Sequence, residues 1–169
     1  MARICIDQFY DWKKQGHRWV CLTAYDAPTA RVLESASVPM ILVGDSLGNV
    51  ILGHDSTVPV TMDDMVHHSA AVRRGAENTF VVCDMPFLAA QISDEDAIRN
   101  AGRLIQEGMA DAVKIEGGGA RVGTIRRIVD AGIPTMGHLG LTPQNATQLA
   151  GYKVQGNTPA SAAQILRDA

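Results

Sequence analysis

The chain has 169 residues, 46% hydrophobic and 20% charged, with a formal net charge of -3, an ordinary globular composition with enough apolar residues for one sizeable core. With no block of like charge it offers no electrostatic footprint for nucleic acid or an anionic membrane surface, and its longest apolar run, residues 38–43, is far too short to cross a bilayer. Residues 1–20 carry charges where a secretory leader needs an apolar stretch, and Cys5, Cys21 and Cys83 are too widely spaced for zinc-like pairs or a disulfide framework.

A single cytoplasmic domain acting on small molecules is therefore expected, with its thiols reduced and mostly buried. Short apolar runs at 19–24, 40–44, 80–84, 112–116 and 134–138 alternate with helix-length amphipathic segments, a βα repeat run five times. Runs that stay apolar until their last residues read as parallel strands covered on both faces. Pro28 falls in the first turn of a helix after the first run, and Thr61 and Ser93, each with an aspartate three positions on (Asp64, Asp96), read as capping boxes. After Ser93 the residues Ala97, Ala101, Leu104, Ile105 and Gly108 form one apolar stripe, and Val122, Ile125 and Val129 form another that ends at Gly132. A last helix, 159–169, opens on Pro159.

Such alternation gives an open doubly wound sheet or a closed (β/α)8 TIM barrel. The placement of polar residues favours the barrel. Residues two apart on a strand share a face, so Lys114 and Glu116 oppose the apolar Val113 and Ile115 and point inward. By the same rule Asp45 shares a face with Ile41 and Val43, Asp84 with Val82, and His138 with Met136. Four successive strands thus end in polar groups at their C-terminal ends, where barrel enzymes keep their active sites. Any one of these acids alone reads as a helix cap or a turn, but four polar strand ends in register do not. Three carboxylates around one lysine call for a cation, and oxygen donors without thiolate point to Mg2+.

Other signals are plainer. Gly117, Gly118 and Gly119 read as a βα turn before an anion cradle; His17, His67, His68, Arg73 and Arg74 read as solvated surface; Met62 and Met65 read as core fillers. The connection 45–61 is long for a βα turn and reads as a loop covering the substrate.

The motifs Thr23-Ala24-Tyr25-Asp26, Val43-Gly44-Asp45-Ser46-Leu47-Gly48, Gly53-His54-Asp55-Ser56-Thr57, Pro59-Val60-Thr61, Asp84-Met85-Pro86-Phe87, Val113-Lys114-Ile115-Glu116-Gly117-Gly118, Met136-Gly137-His138-Leu139-Gly140-Leu141-Thr142-Pro143-Gln144 and Gly151-Tyr152-Lys153-Val154-Gln155-Gly156 resemble the successive signatures of the ketopantoate hydroxymethyltransferases. The resemblance implies a (β/α)8 barrel of the phosphoenolpyruvate mutase and isocitrate lyase superfamily, in a homo-oligomer that is decameric in many members. It implies Mg2+ as cofactor, a 2-keto acid (3-methyl-2-oxobutanoate) as substrate and 5,10-methylenetetrahydrofolate as co-substrate, joined through an enolate. Carried over by position, Asp45, Asp84 and Glu116 are the metal residues, Asp45, Ser46, Asp84 and Lys114 hold the keto acid, and Lys114 and His138 are the catalytic pair. The family's general base, a glutamate beyond the fifth unit, has no counterpart here, so residues 1–169 are expected to be an incomplete barrel of five βα units, the N-terminal two thirds of the family's length. Two other readings stand beside this one: a truncated, non-catalytic interaction subunit, and a superfamily lyase or mutase. The second is disfavoured because its cysteine-containing loop has no match at 117–124.

Overall fold

The computed structural model describes residues 2–145 and 153–169, so Gly151 and Tyr152 of the last motif lie outside the described residues. Five parallel strands, β1 (Cys21–Thr23), β2 (Met40–Val43), β3 (Phe80–Asp84), β4 (Ala112–Glu116) and β5 (Thr135–His138), pair strictly in chain order. A doubly wound sheet would reverse direction at a switch point. Unbroken sequential pairing is the pattern of the first five units of a (β/α)8 barrel.

The two faces of the sheet differ as a barrel requires. Ile41, Val43, Val81, Cys83, Val113 and Ile115 face outward into one core with residues of α2 (Ala27–Ser35), α4 (Met62–Gly75), α5 (Asp94–Gln106) and α6 (Val122–Asp130). Met40, Phe80, Val82 and Ala112 face inward and pack with Ile4 and Phe9. Phe9 belongs to α1 (Ile6–Lys14), a helix absent from the expectation above. Its ring lies 5.3 Å from Trp12, 5.4 Å from Trp19 and 5.2 Å from Phe80, so α1 closes the interior beneath the N-terminal ends of the strands. The signal was the spacing of Ile6, Phe9, Tyr10 and Lys13, one face of a helix.

Helix starts follow the local chemistry. Thr61 and Asp64 form a reciprocal capping box on α4, whereas Ser93 only accepts the Asp96 amide, because the Asp96 carboxylate turns toward Asn100. Pro28 and Pro159 sit in the first turns of α2 and α7 (Pro159–Asp168). On α5 the expected stripe is buried. On α6 it is so only in part: Ile125 packs against the core, but Val122 and Val129 are exposed while Thr124 and Ile128 are buried, the Thr124 hydroxyl donating to Asp94 (2.8 Å).

Two further expectations are corrected. Only Cys83 is buried, since Cys5 precedes α1 and Cys21 lies on the exposed strand β1. Arg73 is not surface: its guanidinium reaches the carbonyls of Met109, Ala76, Glu77 and Thr79 and the carboxylate of Asp111. Asp111 in turn accepts the Val81 amide (2.8 Å), and Glu34 accepts the amides of Asn78 and Thr79, which ties the entrances to β3 and β4 together.

Close helix packing sets one sharp constraint. A Cβ on Gly75, the last residue of α4, would lie 2.1 Å from the Ala27 carbonyl oxygen of α2, whereas one on Gly102 in mid-α5 meets nothing within 4 Å. Urea denaturation should therefore show Gly75→Ala losing about 2 kcal/mol or more and Gly102→Ala gaining about 0.5–1 kcal/mol. Equal effects would contradict the packing of α4 on α2.

Candidate active site at the strand ends

The parallel register assembles the polar residues. Asp84 is the partner of Lys114, and Glu116 of His138, so four of them form two side-by-side pairs on the inner face. Lys114 Nζ lies 2.9 Å from Asp84 Oδ1 without an aligned hydrogen bond. His138 Nδ1 sits 3.2 Å from Glu116 Oε1 and 3.5 Å from Lys114 Nζ. Of these two contacts only the one with Lys114 has hydrogen-bond geometry, and Glu116 stands beside the ring as a neighbouring carboxylate. Asp45, Asp84, Lys114 and Glu116 are all buried.

Asp45 reaches the same cluster by a different route from the one its parity suggests. Ile41 and Val43 face outward, and a strand continued to Asp45 would carry it out with them. Instead β2 ends at Val43 and the chain turns at Gly44. A Cβ at Gly44 would lie 2.9 Å from Ser46 Oγ and 3.5 Å from Asp84 Oδ2, so a side chain here would displace the Ser46 hydroxyl. The Asp45 amide then donates to Asp84 Oδ2 (3.1 Å), and its side chain points to the strand ends. Ser46 follows and shares a hydrogen bond with the Tyr25 hydroxyl (2.8 Å). The His68 ring Nδ1 is 2.7 Å from the Tyr25 carbonyl, so His68 braces this region and is not the solvated residue expected. All the residues singled out from the sequence, Asp45, Ser46, Asp84, Lys114, Glu116 and His138, are thus brought to one end of the sheet.

One residue was overlooked. Gln144, in a single 3-10 turn (Pro143–Asn145) after β5, is buried; its Nε2 donates to Asp45 Oδ2 (2.8 Å) and the Met85 carbonyl (2.9 Å), and its backbone amide donates to Glu116 Oε2 (3.0 Å). Only its place beside His138 in one motif could have suggested it.

The connection after Asp45 is compact. Four residues form α3 (Leu47–Val50), His54 N–H donates to the Gly48 carbonyl (2.7 Å), and Leu47, Gly48, Thr57 and Val60 are buried while Val50, Ile51, Leu52 and Val58 face out. The glycine run after β4 forms a βα turn, and Asp168 of α7 packs against Gly118 and Gly119.

The electrostatics leave a deficit of positive charge. Three carboxylates surround one ammonium. Burial first, then the neighbouring Asp84 charge, push the Asp45 carboxyl up to about 6. Burial raises that of Asp84 against the opposing pull of Lys114. Among the described residues no group of three His, Cys, Asp or Glu side chains is gathered closely enough to hold an ion unaided. Asp45 and Asp84, joined through the Asp45 amide and lacking full neutralisation, do fit a divalent cation whose remaining ligands come from a bound molecule.

Comparison with known proteins agrees in family and fold. The family profile described as Ketopantoate hydroxymethyltransferase matches residues 3–169. The chain is 56% identical over 167 residues to the 3-methyl-2-oxobutanoate hydroxymethyltransferase of Heliobacterium modesticaldum, covering 99% of this chain and 60% of that one. To the Moorella thermoacetica protein of the same name it is 55% identical over 168 residues, covering 99% and 62%. The chain therefore spans about 60% of the length of these relatives. Among solved structures, a 2,3-dimethylmalate lyase of the PEP mutase/isocitrate lyase superfamily superimposes with a TM-score of 0.64 at 16% identity, over 99% of this chain and 67% of that one. A phosphonopyruvate hydrolase in complex with oxalate and Mg++ gives 0.60 at 12% identity, over 78% and 48%. At these identities the likeness is one of fold.

The raised Asp45 carboxyl has a consequence for stability. An acid whose folded value lies above its unfolded one favours folding fully below the unfolded value, near pH 4, and loses that contribution as pH rises through about 6. The displacement corresponds to about 3 kcal/mol. Without divalent ions, Asp45→Asn should therefore melt like the parent near pH 4 and above it at pH 8. A variant no more stable than the parent at pH 8 would show that the Asp45 charge is already neutralised.

Proposed function

The chain belongs to the ketopantoate hydroxymethyltransferase family, and from that membership we propose that the protein transfers a hydroxymethyl group to 3-methyl-2-oxobutanoate in pantothenate biosynthesis. 5,10-Methylenetetrahydrofolate supplies the carbon and water the hydroxyl oxygen, giving 2-dehydropantoate and tetrahydrofolate. The observation that carries the reading is the buried Lys114 ammonium, held 2.9 Å from Asp84 Oδ1 among carboxylates at the strand ends.

A 2-keto acid presents a carboxylate and a keto oxygen on adjacent carbons. Lys114 supplies the positive charge that an anionic substrate seeks, and Ser46, set by Tyr25, supplies a hydroxyl beside it. As the C3 proton leaves, negative charge gathers on the keto oxygen. A cation fixed beforehand by its ion pair with Asp84 needs no reorganisation to stabilise that charge. Water opens the methylene bridge of the folate, breaking both C–N bonds and releasing tetrahydrofolate and formaldehyde; the carbon nucleophile adds to the formaldehyde carbon, and the alkoxide formed takes up a proton in place of the one lost from C3. The His138 ring stands beside both Lys114 and Glu116 at the strand ends. A divalent ion held by Asp45 and Asp84, with Glu116 nearby, would supply Lewis-acid stabilisation of the same keto oxygen. Burial of the carboxylates keeps water from screening these charges.

The direct test is formation of 2-dehydropantoate from the two substrates; no product from the correctly folded protein would refute the reading. The roles of Lys114 and Asp84 separate by calorimetry. In Lys114→Ala the keto acid should bind about 10–100-fold more weakly, the range for a lost charged hydrogen bond, while Mg2+ affinity holds or rises. In Asp84→Ala the Mg2+ binding heat should disappear. Normal keto acid affinity without Lys114, or undiminished Mg2+ binding without Asp84, would remove that residue's role.

A further inference from the structure

We infer that Gln144 is a positioning residue, holding the Asp45 and Glu116 carboxylates in the arrangement that the divalent ion and keto acid require, a role that rests on the functional reading above. It follows β5, yet it touches Asp45 after β2, Met85 after β3 and Glu116 at the end of β4. Its side chain thus joins the ends of two other strands from a buried position, and its backbone amide reaches a third.

The chemistry fixes how it can sit. Both Nε2 protons are committed, one to Asp45 Oδ2 at 2.8 Å and one to the Met85 carbonyl at 2.9 Å. A flipped amide would set its oxygen against two acceptors, so only this orientation is satisfied. The turn beneath is braced, since the Asn145 amide donates to the Thr142 carbonyl (2.9 Å) and Asn145 Nδ2 to Thr142 Oγ1 (3.2 Å). The backbone amide of Gln144 holds Glu116 Oε2 at 3.0 Å.

Asp45 and Glu116 would otherwise swing away from each other and from Asp84, because like charges in a buried site repel. Gln144 provides donors without charge, so it fixes both acids without competing with a cation for their charge. With Oδ2 of Asp45 occupied by the amide, Oδ1 is the oxygen left for an ion. Partners of this kind are worth about 10–100-fold in metal affinity.

The test uses Mn2+ as the probe ion, its binding followed by electron paramagnetic resonance and calorimetry on the whole protein. Gln144→Met keeps the length and removes both side-chain donors. Gln144→Asn retains an amide too short to reach Asp45 and Met85 together and guards against a methionine variant that fails to fold. Ile128→Val, on the buried face of α6, serves as a stability control. The expected result is Mn2+ binding weakened about 10–100-fold in both Gln144 variants with an altered spectrum, and parental binding in Ile128→Val. Parental Mn2+ affinity in both Gln144 variants overturns the positioning role alone and leaves the carboxylate site standing. Equal weakening in Ile128→Val also overturns it, because loss of packing would then account for the effect. No Mn2+ binding by the unsubstituted protein overturns the metal reading and this role with it.

Discussion

The site depends on the register by which Asp84 stands beside Lys114. A strand shifted by one residue exchanges its two faces. Lys114 and Glu116 would then enter the outer core now filled by Val113 and Ile115, and their charges would lie among leucine, valine and alanine side chains. The apolar residues prevent this. Val81, Cys83, Val113 and Ile115 require the helices of the outer layer, while Phe80, Val82 and Ala112 require α1. The charged pairs are therefore fixed by packing that has no part in their chemistry.

The two ends of the strands handle buried polarity in opposite ways. At the N-terminal ends, Arg73 satisfies four carbonyls and Asp111, and Glu34 takes two amides, so the network is closed within the protein. At the C-terminal ends, three acids share one ammonium, which is paired with Asp84. Buried polar groups in folded proteins are normally paired. An end left short of donors and positive charge is suited to a ligand that brings them.

Much of this was legible in the sequence because the relevant signals were local. β3 and β4 were read at their observed limits, and the inward direction of Lys114 and Glu116 followed from Val113 and Ile115 alone. Where the chain leaves regular structure, parity fails. Asp45 reaches the site only because β2 stops at Val43 and Gly44 turns, information carried by a missing Cβ and not by alternation. Gln144 and Arg73 act over separations of 99 and 38 residues, and no periodicity records such distances. Helix α1 escapes a reading by apolar runs because Ile6, Phe9 and Tyr10 are interleaved with polar and charged residues. Of the α6 stripe only Ile125 meets the core, since the face of the helix bearing Thr124 and Ile128 is the one buried.

The aromatic closure of the barrel floor also determines what light can report. Both tryptophans of the protein, Trp12 and Trp19, belong to that closure, with ring centroids 6.0 Å apart and Trp12 5.3 Å from His17. The carboxylates lie at the other ends of the strands, a separation on the order of 15 Å for five residues of β-structure. Intrinsic fluorescence therefore reads the seating of α1 and is nearly blind to occupancy of the mouth. An optical assay of ligand binding would need a fluorophore placed there, for example by exchanging Tyr25 for tryptophan, whereas the native emission serves as a clean recorder of how the floor assembles.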